Sequence, residues 1–124
     1  MTGQHILVAE DEGLIAMDIA FMLERLGFHV IGPVAEVDEV LQAAKQLGQI
    51  DCALLDVNLR GRKVFTALPA LLDRGIPVFL ASGYDDDSFF PEAYRTLPRI
   101  SKPFNEEMLR RIVLGGRQQK LASA

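Results

Sequence analysis

The chain has 124 residues, 49% of them hydrophobic and 24% charged, with a formal net charge of -4; this is the composition of one ordinary folded domain, large enough to bury a core without covalent staples. The acidic balance argues against general nucleic-acid binding, and a single cysteine, Cys52, excludes an intramolecular disulfide and a CxxC zinc set. With no apolar run of membrane-spanning length and no basic-then-apolar leader, a cytoplasmic protein without membrane contact is expected.

Short apolar runs mark five strands: HILVA at 5–9, FHVI at 28–31, CALLD at 52–56, PVFLA at 77–81 and RIS at 99–101. Helical spacing fills the gaps. Residues 13–26 put Ile15, Ile19, Met22 and Leu26 on one stripe, and Val37, Val40, Leu41, Ala44 and Leu47 form the next. Gly27, Gly48 and Gly75 stand where helices are closed by glycine. The third helix is expected to start late, with Thr66 as its N-cap and Pro69 in its first turn, leaving 57–65 as loop. Pro91 and Pro98 interrupt residues 85–98, so a fourth helix there is short or irregular. Asn105 caps a fifth helix with Glu106 and Glu107 in its first turn and Met108, Leu109, Ile112 and Val113 as its apolar stripe. The tail, about 116–124, is expected to be flexible. Alternating strands and helices in units of about 25 residues predict a doubly wound parallel α/β sheet with one domain over 1–124.

In such a sheet ligands bind beyond the carboxyl ends of the strands. Strand one runs into Glu10 and Asp11, strand three ends in Asp56, strand four in Ser82, and strand five runs into Lys102. Three carboxylates gathered there repel one another unless a cation or protons neutralise them. All-oxygen donors suit Mg²⁺, held by Glu10, Asp11 and Asp56 with the backbone carbonyl of Asn58. A carboxylate beside Mg²⁺ is also a nucleophile towards phosphorus, and Asp56 is the candidate. Lys102 would hold one phosphoryl oxygen and the Ser82 hydroxyl another, assisted by the N–H groups of Val57 and Gly83. Residues 1–59 carry ten acids and two bases, and 60–124 seven acids and eleven bases, so the carboxylates and their counter-charges lie in opposite halves.

VAEDE at 8–12, LLDVNLRG at 54–61, LASGY at 80–84 and SKPF at 101–104 together resemble the receiver domain of bacterial two-component response regulators, over nearly the whole chain. The resemblance implies a flavodoxin-like (βα)₅ fold with strand order 2-1-3-4-5. It further implies phosphotransfer to Asp56 from a histidine kinase or histidine phosphotransfer protein, Mg²⁺ as cofactor, Ser82 as the hydroxyl switch, Lys102 on the phosphate and a cis Lys102–Pro103 bond. Where receivers usually carry Tyr or Phe, three residues before the lysine, this chain has Arg99, so the usual aromatic swing is unavailable. FLASGY with the interrupted fourth helix is similar to the FAT GUY subgroup, whose members often stand alone and work with HWE or HisKA-2 type kinases. A switch built on Ser82, Gly83 and Tyr84, with Arg99 in the aromatic's place and ordering of 85–97, is the expectation.

Leu14, Asp18, Phe21 and Arg25 share one mixed stripe of the first helix. It either docks a kinase or phosphotransfer partner or packs under the fifth helix. His5, His29 and Cys52 are read as structural, and the acids Asp85, Asp86 and Asp87 as a solvated turn. A stand-alone response regulator is expected, monomer or weak homodimer, acting by partner binding or as a phosphate sink or shuttle, and not an enzyme beyond its own phosphorylation and dephosphorylation. A Mg²⁺-dependent aspartyl-phosphate hydrolase would want an acid two residues after the nucleophile, where Asn58 stands. A non-phosphorylated binding module is the other alternative.

Overall fold

The computed structural model describes residues 3–83 and 90–123, with side chains to residue 115. The chain runs β1 (His5–Ala9), α1 (Gly13–Arg25), β2 (His29–Val34), α2 (Val37–Gln46), β3 (Cys52–Asp56), β4 (Asn58–Leu59), β5 (Arg62–Lys63), a 3₁₀ turn (Val64–Ala67), α3 (Leu68–Leu72), β6 (Val78–Ser82), a 3₁₀ turn (Glu92–Tyr94), β7 (Arg99–Ser101) and α4 (Glu106–Ser123). The main sheet has the order β2-β1-β3-β6-β7 with every pairing parallel, which is the predicted 2-1-3-4-5 once the hairpin β4–β5 is set aside.

Parallel strands covered on both faces must be apolar throughout, and β3 and β6 are buried at every position. Their side chains alternate between two cores. Ile6, Val8, Cys52, Leu54, Phe79 and Ala81 pack with Ile19 and Leu23 of α1 and Leu109 and Val113 of α4. Leu7, Ala53, Leu55, Val78 and Leu80 face Val37, Val40 and Ala44 of α2 and Leu68 and Leu71 of α3. The sheet is therefore fixed in register by its period-2 pattern, and with it the height at which each strand ends.

Several expectations are corrected. β2 continues past FHVI to Val34: the register shifts between Leu7 and Ala9, opposite Gly32 at φ +94°, and pairing resumes at Ala9–Val34. The predicted loop 57–65 contains the hairpin β4–β5. Thr66 is not a cap: it lies inside a 3₁₀ turn, and α3 starts after Ala67 with Pro69 in its first turn, as expected. Gly27 and Gly75 adopt positive φ, but Gly48 does not, since Leu47 leaves α2 in an extended conformation and is exposed, while Ala43 is buried in its place. The Arg74 guanidinium donates to the carbonyls of Ala44, Leu47 and Gly48, satisfying the end of α2. Asn105 does cap the last helix, accepting the Met108 N–H at 2.9 Å. That helix spans Glu106–Ser123. Of the fourth helix only the turn Glu92–Tyr94 is formed among the described residues. Lys102–Pro103 is cis, as the resemblance implied. Among the described residues no helix is long and apolar enough to cross a membrane.

Candidate functional site

The register of the sheet delivers the polar residues to one edge. Ala9 pairs with Leu55, so Glu10 and Asp11 leave β1 beside Asp56, the last residue of β3. Asp56 pairs with Ala81, and Ser82 pairs with Ser101, so Ser82 and Lys102 emerge next in line. The Lys102 N–H donates to the Ser82 carbonyl at 2.9 Å, and the Glu10 N–H to the Val34 carbonyl at 2.9 Å, so both neighbouring strands pin the site's backbone.

One carboxylate oxygen each from Glu10, Asp11 and Asp56 lies within 4.8 Å of the others. Glu10, Asp56 and Ser82 are the buried polar residues of the described chain. Lys102 answers the charge: its Nζ donates to Asp56 Oδ2 and lies 3.0 Å from Glu10 Oε1. The remaining oxygens are met by backbone, with the Glu12 N–H on Glu10 Oε2 at 3.1 Å, the Asn58 N–H on Asp56 Oδ1 at 3.1 Å and the Arg60 N–H on Asp11 Oδ2 at 2.9 Å.

Protonation follows from this packing. Burial, reinforced by the Asp56 charge, lifts the Glu10 carboxyl above its ordinary value against the pull of the Glu12 N–H and Lys102. Partial burial also opposes ionisation of Asp11, yet the hydrogen bond from the Arg60 N–H, followed by interaction with the Glu10 side chain and its own N–H, holds it below the usual carboxylate range. Lys102 is desolvated, but the hydrogen bond to Asp56 and the ion pair with Glu10 outweigh that and raise it. One ammonium against three carboxylates leaves a deficit of positive charge. Glu10 Oε1 is buried without a well-directed hydrogen bond. An all-oxygen donor set with an under-satisfied buried carboxylate fits a hard dication such as Mg²⁺, with Glu10, Asp11 and Asp56 as its side-chain donors.

The structure thus brings together Glu10, Asp11, Asp56, Ser82 and Lys102. Gly83 lines a groove beside them with Ile15, Asp18, Met22, Lys102 and Phe104. The Val57 N–H donates to the Ala81 carbonyl at 2.9 Å, and the Asn58 N–H is turned towards Asp56. Arg99 stands apart, its guanidinium 4.2 Å above the ring of buried Phe90, which packs edge-on against Phe65 at 5.1 Å. Tyr84 and the acids at 85–87 lie outside the described residues. On α1, Leu14, Met17 and Phe21 are 81%, 54% and 51% exposed, so this stripe is not packed under α4; the Arg25 guanidinium, instead, binds Glu106 Oε1 at 2.6 and 2.8 Å. Sequence reading missed Arg60. Its signal was the Arg60–Gly61 pair, a two-residue hairpin turn whose flanking strands are too short to show alternation.

Residues 6–114 match the family model described as response regulator receiver domain. Among curated relatives, the transcriptional regulatory protein PdtaR of Mycobacterium tuberculosis is 27% identical over 82% of this chain and 51% of its own length. The phyllosphere-induced regulator PhyR of Methylorubrum extorquens is 32% identical over 81% of this chain and 38% of its own length. The chain therefore spans about half the length of PdtaR and less of PhyR. The solution structure of SdrG from Sphingomonas melonis superimposes with a TM-score of 0.80 at 38% identity, covering 92% of this chain and 97% of that one. A family match across nearly the whole chain, a parallel sheet in the order 2-1-3-4-5 and strand-end acids facing a lysine agree, and the chain belongs to the response regulator receiver domain family of two-component systems.

Proposed function

We propose that this receiver takes a phosphoryl group onto Asp56 from a phosphohistidine of a histidine kinase or histidine phosphotransfer protein, in a Mg²⁺-dependent reaction. The observation that carries this is the position of Asp56: buried, with Lys102 Nζ on one oxygen, the Asn58 N–H on the other, and two further carboxylates within 4.8 Å. Glu10, Asp11, Asp56 and the Asn58 carbonyl would hold Mg²⁺, whose bound charge offsets that of the incoming phosphoryl group. An oxygen of Asp56 attacks phosphorus, the new O–P bond forms as the P–N bond breaks, and the histidine imidazole leaves with the electron pair and takes up a proton. Lys102, already at Asp56, moves to a phosphoryl oxygen, and the Ser82 hydroxyl and the Gly83 N–H donate to others. Water later attacks phosphorus, the O–P bond to Asp56 breaks, and inorganic phosphate leaves with the water's oxygen while the Asp56 carboxylate is restored and a proton is released.

For as long as it stays on Asp56, the phosphoryl group biases two conformers, and a partner reads the bias. Arg99 over Phe90 supports a switch in which this pair replaces the usual aromatic swing, acting with Ser82 and Tyr84. The exposed Leu14, Met17 and Phe21, next to the groove that holds Asp18 and Lys102, support docking of the kinase or phosphotransfer helix on α1. An aspartyl-phosphate hydrolase is disfavoured because Asn58 offers no acid for proton transfer.

Incubation with Mg²⁺ and acetyl phosphate, followed by intact mass, tests the reading. A phosphate adduct is expected on the wild type and none on Asp56→Ala. Failure of every kinase and small donor to phosphorylate the wild type overturns it. Backbone NMR of the phosphorylated form should show shifts at Ser82, Gly83 and 90–97, and their absence refutes the switch.

A further inference from the structure

The hairpin β4–β5 touches both halves of the acidic cluster. Asn58 pairs with Lys63 and Leu59 with Arg62, joined by Arg60 and Gly61 at φ 51° and 82°. Positive φ at both central residues is the primed turn that suits a tight hairpin, yet at the first of them an arginine occupies a conformation that glycine or asparagine adopts more readily. The consequence is that the Arg60 N–H points at Asp11 Oδ2, 2.9 Å away, while the Asn58 N–H at the hairpin's base serves Asp56.

Two side chains tie the hairpin to the start of α2. Arg60 Nη1 donates to Glu36 Oε2 at 3.1 Å and Arg62 Nη1 to Asp38 Oδ1 at 3.1 Å. All four side chains are more than half exposed, so neither pair adds much to global stability. Their geometric effect is larger: the buried Leu59 anchors one strand, and the two pairs tie the hairpin to the start of α2 while the Arg60 N–H meets Asp11. Glycine at position 60 would relieve the backbone and forfeit the tie.

We propose that Arg60 is a positioning residue for the cation site, its guanidinium pinned by Glu36 so that its backbone N–H orients the Asp11 carboxylate. This rests on Mg²⁺ binding at Glu10, Asp11 and Asp56. Removing a group that orients a metal ligand typically weakens binding by one to two orders of magnitude, and a loosened rather than deleted donor belongs at the low end, about tenfold.

The test uses the full chain and Mg²⁺ alone. Arg60→Glu sets a carboxylate against Glu36 and adds negative charge near the cluster. Simple electrostatics then predicts tighter Mg²⁺ binding, whereas the hairpin mechanism predicts binding about tenfold weaker, read from amide shifts in a Mg²⁺ titration. Without metal, the amide of residue 60 should exchange with solvent faster than in the wild type. Adding Glu36→Arg to the same protein should restore both. Arg60→Gly, which keeps the N–H and strains nothing, is the second variant and should also exchange faster and bind more weakly. Wild-type affinity in Arg60→Glu, or in Arg60→Gly should Arg60→Glu not fold, overturns the proposal while leaving the metal site intact. A wild type that binds no Mg²⁺ overturns the metal site and the proposal with it.

Discussion

Replacing Lys102 by methionine isolates the electrostatic problem at the heart of the site. Methionine fills similar volume, so the change removes an ammonium and little packing. Its partners are buried, with side-chain exposures of 5% for Asp56 and 1% for Glu10, while Lys102 itself is 26% exposed. Stripping one member from a buried pair costs about 3–5 kcal/mol, and the partial exposure of the lysine lowers this to about 2–3 kcal/mol. For a domain of this length, at about 4 °C per kcal/mol, the melting temperature in EDTA should fall by about 8–12 °C. Proton uptake limits the loss. Burial already raises Glu10, and without Lys102 one restraining influence is gone, so the folded variant holds a proton more tightly than the unfolded chain does. The variant's deficit should accordingly shrink as pH falls from 7 towards the ordinary carboxylate range. Mg²⁺ should raise the melting temperature of Lys102→Met by more than that of the wild type, because the cation no longer competes with an ammonium. Thermal unfolding by circular dichroism, with EDTA or Mg²⁺, reads all three effects. A fall of less than about 3 °C in EDTA, or equal Mg²⁺ shifts in the two proteins, would refute the reasoning.

Phe21→Ala should leave stability within about 0.5 kcal/mol, since half of the side chain is exposed, but slow phosphotransfer from the cognate kinase; unchanged transfer rates would remove α1 from the docking surface. Gly32→Ala should cost at least about 2 kcal/mol in urea unfolding, because its Cβ would lie 2.6 Å from the Val34 nitrogen and 3.1 Å from the Val8 carbonyl at a φ of +94°. A midpoint equal to wild type would show that the β2 irregularity relaxes freely.

The strands and the strand-end residues were legible because a parallel sheet buried on both faces demands continuous apolar runs, and those runs stop where Glu10, Asp56, Ser82 and Lys102 begin. The Asn105 cap was legible for the same local reason: its side chain serves an N–H three residues away. Thr66 and Gly48 misled, because each is a plausible cap whose local preference gives way to context, a 3₁₀ turn in one case and an extended exit in the other. The hairpin 58–63 left almost no pattern, since two-residue strands cannot display a period. Its pairs to Glu36 and Asp38 cross more than twenty residues of sequence.

By itself, then, the sequence determined the fold class, the five strands of the main sheet and the residue types at the carboxylate edge, all of which follow from burial patterns and residue types within single segments. Only the tertiary structure decided which backbone N–H meets which carboxylate: Val57 bonded to Ala81, Asn58 turned to Asp56, and Arg60 brought to Asp11. It likewise decided that Leu14 and Phe21 face outward and that Arg99 lies over Phe90. Hydrogen bonds and ion pairs form at distances of about 3 Å and act only when geometry is met, and that geometry is set by how distant segments pack against one another.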